Sequence, residues 1–212
     1  MRVYAICQPM KENSEPRGLR ERKKLKARRE LERVALELFS GKGFDQTTIR
    51  EIADAADMSP RTFFRYFSSK EEVIFARASD DIEALRLRVR SRPEGEPPYE
   101  SARHAFIEWA DRLQDSREDI AARVRVTADA GALRRRAAQL RDDVARAVAK
   151  ELSERQSHSD GTRNALVASV CVEAMTVALV LWSGADPHRP LRAFVRDCFD
   201  HLEREIRSAS PV

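Results

Sequence analysis

Thr47 to Lys70 reads TTIREIADAADMSPRTFFRYFSSK, and this stretch limits what the 212-residue chain can fold into. Thr48 is a good helix N-cap, and Glu51 follows three residues later. That spacing is a capping box, in which each side chain accepts the other residue's backbone N–H. Behind it Ile49, Ile52, Ala53 and Ala56 fall on one helical face. Asp57-Met58 breaks the pattern. Ser59 caps a second helix, and Pro60 takes its first position, where a missing N–H costs nothing. Phe63, Phe64 and Phe67 supply its predicted apolar face. Helices this short do not hold alone, because nucleation is costly. They need a third helix to pack against, and the combination is a helix-turn-helix.

The flanking sequence supplies that helix. Leu31, Val34, Ala35, Leu38 and Phe39 make one apolar stripe, ended by Gly41 and Gly43, with Phe44 turning back into a small core. Ser69 caps a fourth helix, expected to run unbroken from Lys70 to about Arg90 on Val73, Ile74, Ala78, Ile82, Leu85 and Val89. Arg92–Pro98 (RPEGEPP) cannot be helical and is the clearest break in the chain. Beyond it every apolar period is helical. Tyr99, Ala102, Phe106, Trp109 and Leu113 share a face, a shorter helix covers Glu118–Thr127, and Leu133 to Leu152 carries a third face. Gln156–Thr162 reads as a loop. Asn164–Ser183 is apolar nearly all round, and Leu191–Ile206 is a last amphipathic helix. The expected fold is therefore all-α. Its divisions are an arm over 1–18, a helix-turn-helix domain over 19–68, a connecting helix over 69–91 and a second helical domain over 92–212.

Charge follows the same division. Residues 1–70 hold 16 Lys/Arg against 10 Asp/Glu, while the remainder holds 23 against 25. The basic excess travels with the helix-turn-helix, as a phosphate-binding module requires. Its densest run, RGLRERKKLKARR over 17–29, reads as an arm or helix extension that touches phosphates or the minor groove. Cys7, Cys171 and Cys198 are an odd count without paired spacing, which suits a reducing cytoplasm rather than a disulfide framework. The first ten residues have too short an apolar run for a signal peptide. Ala165–Trp182 approaches the length of a membrane span, but Glu173 in its middle favours a buried helix, so no membrane partner is expected. The sequence has no phosphate-binding Gly loop, no G-x-S-x-G and no H-E-x-x-H. Its four histidines are scattered, and Cys198 and His201 are at most half a metal site. An enzyme, a metal and a cofactor are thus not expected.

The stretch resembles the DNA-binding domain of the TetR family of bacterial transcriptional regulators. Phe39, Gly43-Phe44, Thr47-Thr48, Ile52-Ala53, Ser59, Thr62-Phe63, Tyr66-Phe67 and Ser69-Lys70-Glu71 carry the likeness over about 45 residues. The run Arg61–Phe67 is similar to an actinobacterial branch that includes regulators of mycofactocin clusters. In such a motif the second helix enters the major groove with its early residues at base edges. Here those are Ser59, Pro60, Arg61 and Thr62, with Arg65 one turn on. Arg61 can donate a forked pair of hydrogen bonds to guanine, or meet a phosphate. The resemblance makes Thr48, Arg50, Tyr66 and Lys70 phosphate contacts. Many family members have Tyr where this chain has Phe64, and that ring cannot donate the hydroxyl's phosphate bond.

The resemblance further implies a homodimeric repressor on a palindromic double-stranded DNA operator, released by a small apolar effector. The last two helices are the expected dimer surface, since Asn164–Ser183 with Phe194, Phe199 and Leu202 has more apolar surface than one core takes. Expected effector-pocket walls are Phe106, Trp109, Val124, Leu140, Val144, Met175 and Leu179, with Arg123, Arg125 and Glu173 as polar candidates. The mycofactocin-type likeness implies a long-chain acyl-CoA as effector. The competing reading is a helical protein-binding adaptor without sequence-specific DNA binding.

Overall fold

The computed structural model describes residues 18–155, 160–186 and 188–208. Residues 1–17 of the arm expected over 1–18, Cys7 among them, and part of the predicted 156–162 loop lie outside the described residues. The described residues are helical and contain no strand: α1 (Leu19–Lys42), α2 (Ile49–Ala55), α3 (Pro60–Phe64), α4 (Lys70–Ile74), α5 (Ala78–Arg90), α6 (Pro98–Leu113), α7 (Arg117–Asp129), α8 (Gly131–Glu154), α9 (Gly161–Ser183) and α10 (Leu191–Ser208).

Two apolar cores organise them. The N-terminal core gathers Leu31, Phe39 and Phe44 with Ile52, Phe63, Phe67 and Val73. It also takes in Val126 and Ala130 near the end of α7 and Leu133 of α8, so the small domain is closed by residues beyond the Pro-rich break. The larger core joins α5, α6, α8, α9 and α10 around Phe106, Trp182 and Phe199. Buried Glu151 of α8 fixes α5 against it, bonded by Arg86 at 2.6 Å and Arg90 at 3.0 Å. Arg155, just past α8, holds the Pro-rich segment by donating to the carbonyls of Val89, Arg92 and Pro93. A carbonyl left over at a helix end needs such a donor.

One helix departs from expectation. The helix predicted unbroken from Lys70 to about Arg90 stops at Ile74 and restarts at Ala78. Phe75 leaves helical geometry at φ −102°, ψ 18°. At the interruption guanidinium groups take the carbonyls that the ladder leaves free. Arg123 of α7 donates to the carbonyls of Val73 (3.0 Å) and Ile74, and Arg28 of α1 donates to that of Ala76 (2.6 Å). The bend lets Val73 and Ile74 serve the N-terminal core while Leu85 and Val89 serve the larger one.

Candidate nucleic-acid interface

The local chemistry of α2 and α3 is as the side chains demand. The backbone N–H of Thr48 donates to Glu51 Oε2 at 2.8 Å, and the N–H of Glu51 donates to Thr48 Oγ1 at 3.2 Å. Lys42 pairs with the same carboxylate. Lys42, and then the two Thr48 bonds, hold Glu51 far below the usual carboxylate range, at about 2. Ser59 Oγ accepts from the N–H of Thr62 at 3.1 Å and lies 2.9 Å from its hydroxyl. Between the helices Asp57 takes a left-handed φ of 55°, a conformation Asp tolerates better than most residues. Thr47 is buried, with its hydroxyl donating to the carbonyl of Gly43 at 2.8 Å.

Two faces of α3 are distinguished by burial. Phe63 and Phe67 fill the core, and Phe63 is fully buried. Phe64, expected on that apolar face, points away from it and is 55% exposed. One residue turns an α-helix by about 100°, so a helix that seats Phe63 inward carries Phe64 round to the side of Arg61 and Arg65. Arg61 is exposed, as is Arg50 on α2, and neither has a hydrogen bond or ion pair among the described residues. Arg65 stacks on Tyr66, 5.0 Å from the ring centroid, and donates to its hydroxyl at 3.1 Å. Pro60 and Thr62 are half-buried at the start of the helix.

Lys70 is placed differently from the exposed arginines. Its ammonium donates to the carbonyls of Phe44 (2.8 Å), Thr47 (3.2 Å) and Asp45 (3.4 Å), and it sits over the Phe44 ring at 4.3 Å. Those three acceptors match the three donors of an ammonium, so Lys70 clamps the α1–α2 turn. A separate basic surface lies on the first turns of α1. Arg22, Lys23, Lys24, Lys26 and Arg29 are exposed and without ion pairs or hydrogen bonds among the described residues.

A buried charge cluster links this unit to the rest of the molecule. Glu32 of α1 is 5% exposed and lies 3.4 Å from Arg28, 3.5 Å from Arg123 and 3.6 Å from Arg77. Burial lowers the Arg123 pKa and Glu32 opposes it. Arg123, expected at an effector pocket, thus faces the N-terminal core and the end of α4. Sequence reasoning missed this link because its acceptors are backbone carbonyls about 50 residues away.

Of the expected pocket walls, the structure brings together Phe106, Trp109, Val144, Met175 and Leu179 in the larger core. The Trp109 ring meets Phe106 edge-on at 6.2 Å, and its Nε1 is buried with no hydrogen-bond partner among the described residues. Val124 and Leu140 are half-buried outside that cluster. Arg125 is exposed, and Glu173 is exposed and paired with Arg141 at 3.1 Å. Open clefts occur elsewhere: about 330 Å³ between α6 and α10, beside Arg103, Arg192 and Arg196, and about 670 Å³ between the α4–α5 bend and α8, beside Arg28, Ser69 and Arg136. On α9, Leu166, Val170, Val177, Val180 and Leu181 form an exposed stripe interrupted by Glu173. Phe194 and Phe199 of α10, expected to extend it, are buried in the chain's own larger core. The length and apolarity of α9 would cross a membrane, yet its other face packs in that core.

Residues 33–76 match the family model described as bacterial regulatory proteins, tetR family. Residues 96–207 match the model of the MftR C-terminal domain. Among curated proteins, the HTH-type transcriptional regulator TcmR of Streptomyces glaucescens is 44% identical over 98 residues, which cover 46% of this chain and 43% of that protein. The match therefore spans less than half the length of that relative. Among solved structures, Thermus thermophilus FadR, a TetR family transcriptional repressor in complex with lauroyl-CoA, is 26% identical with a TM-score of 0.54, covering 83% of this chain and 93% of that one. FadR of Bacillus halodurans, a fatty acid degradation regulator, reaches a TM-score of 0.61 at 15% identity, covering 83% and 94%, a likeness of fold.

Proposed function

The chain belongs to the TetR family of bacterial regulatory proteins, which are transcriptional regulators and not enzymes, and from that premise we propose a homodimeric, effector-released repressor of a palindromic operator. The observation that carries this reading is the outer face of α3, where unpaired Arg61 and stacked Arg65 stand clear of the core on a doubly capped helix pair. A guanidinium free of protein partners keeps both of its parallel donors for guanine O6 and N7. Thr48, Arg50, Tyr66 and the basic start of α1 meet phosphates around it, which orient the protein without reading sequence. The protein works in the cytoplasm.

The dimer forms through the apolar stripe of α9, with α10 at its margin. Leu166, Val170, Val177 and Val180 recur at intervals of four, seven and three, which suits helix pairing across a two-fold axis. Pairing sets the two copies of α3 about one DNA turn apart, about 34 Å. The effector is an apolar acyl chain of the long-chain acyl-CoA class, and the FadR structure holding lauroyl-CoA supports that class. It enters the core beside Phe106, Trp109, Val144 and Met175, where the Trp109 N–H lacks an acceptor. Displacement of α7 then pulls on α4 through Arg123 and changes the spacing of the recognition helices.

The test is binding of the full chain to duplexes from the DNA upstream of its own gene, with and without lauroyl-CoA. A specific complex that dissociates on adding lauroyl-CoA is expected, and Arg61→Ala should relax selectivity at one base position per half-site. Equal weak affinity for every duplex would leave the protein-binding adaptor as the better reading. Release by a cationic drug and not by acyl-CoA would replace the effector class.

A further inference from the structure

We propose that Phe64 is a specificity residue that reads thymine through its 5-methyl group; this rests on the operator-binding reading above. The ring is 55% exposed, while the core beside it is already filled by Phe63 of the same helix and by Phe67 just beyond it. It is therefore not required to close the core, and an exposed phenyl ring carries an unfavourable hydration cost. Its orientation is held by an edge-on contact with Phe63, centroids 5.7 Å apart and planes at 88°. The ring sits three residues after Arg61 and immediately before Arg65, so an apolar surface is framed by two cations on one outward face. α3 itself carries no acidic residue.

That face suits one occupant. Guanidinium groups favour phosphates and guanine edges, whereas a phenyl ring can neither donate nor accept a hydrogen bond. The major groove offers it one kind of apolar group, the C5-methyl of thymine. A polar base edge against Phe64 would lose its water without gaining a partner, so the ring also disfavours cytosine and adenine there. A tyrosine at this position would keep its hydroxyl for a phosphate. Phe64 gives up that bond, and its remaining selectivity is for the methyl.

Deoxyuridine in place of thymine removes the methyl and nothing else. The full chain is first used to enrich a duplex from a random library, and each thymine of that duplex is then replaced singly by uracil. Wild type is expected to lose about fourfold in affinity at one position per half-site and about fifteenfold when both half-sites are changed. Phe64→Ala should bind the thymine and uracil duplexes equally at that position. If Phe64→Ala does not fold, Phe64→Gln carries the same comparison with a polar side chain of similar reach. Wild-type indifference to every uracil, or undiminished sensitivity in the variant, overturns the assignment of Phe64. Failure of the library to enrich any duplex instead overturns the operator-binding reading beneath it.

Discussion

Replacing Arg123 by methionine tests whether the α7–α4 link is a structural joint. Methionine keeps an unbranched apolar stem and deletes the guanidinium. Two carbonyls, Val73 and Ile74, lose their donor, and Glu32 keeps only Arg28 and Arg77. A hydrogen bond from a charged group contributes about 1.5–3 kcal/mol, so the two carbonyls alone set a scale of about 3–6 kcal/mol. Release of a buried guanidinium from its desolvation penalty offsets part of this, since the Arg123 side chain is only 17% exposed. A net loss of about 3 kcal/mol is expected, which for a chain of this size lowers Tm by roughly 6–12 °C. Arg77→Met is the control. That side chain is 47% exposed and 3.6 Å from Glu32, a pair worth about 1 kcal/mol or less. Urea unfolding followed by circular dichroism gives both values. Equal losses for the two variants, or native stability in Arg123→Met, would refute the joint. A stable Arg123→Met protein that no longer binds lauroyl-CoA would move Arg123 to the effector site.

Lys70→Met should lower stability by about 1–3 kcal/mol, because it removes the donors to three turn carbonyls; denaturant unfolding measures it. Val177→Asp sets a charge in the middle of the α9 stripe and should give a monomeric mass by light scattering at micromolar concentration, with an unchanged helical spectrum. Glu51 and Glu96 both titrate near 2 in the folded chain against 4.5 ordinarily, Glu51 held down by Lys42 and Glu96 by Arg92. The unfolded chain then binds more protons, so their stabilisation is complete above about 4.5 and is lost as pH falls toward 2. Unfolding midpoints measured from pH 6 to pH 2 should fall over that interval, and fall less in a Glu51→Gln, Glu96→Gln double variant.

What could be read from the residues was local. The box at Thr48 and Glu51 and the Ser59 cap are settled within three residues, so the sequence carries them whole. The helical periods of α1, α6, α8 and α10 were legible for the same reason, since each stripe belongs to one helix. The break at Phe75–Arg77 was not, because Val73 to Ile82 has a good helical pattern and the donors that serve the carbonyls there are arginines on α1 and α7. Lys70 was read by its charge, while its placement depends on carbonyls 23 to 26 residues earlier. Phe64 was read by its apolarity, although rotation about so short a helix decides which of two adjacent phenylalanines is inside. The α10 aromatics were assigned outward because a periodic stripe does not say whether its partner is in the same subunit.

The seating of Val126, Ala130 and Leu133 in the N-terminal core bears on how the molecule is made. A nascent chain leaves the ribosome from its N-terminus, and a self-contained head would fold as soon as its last residue emerged. This head has a wall missing until residue 133 is free. Until then the apolar surface that α7 and the start of α8 cover stays open to water. A gene fragment encoding the first four helices would yield that open half, its apolar side lacking the cover of Val126, Ala130 and Leu133.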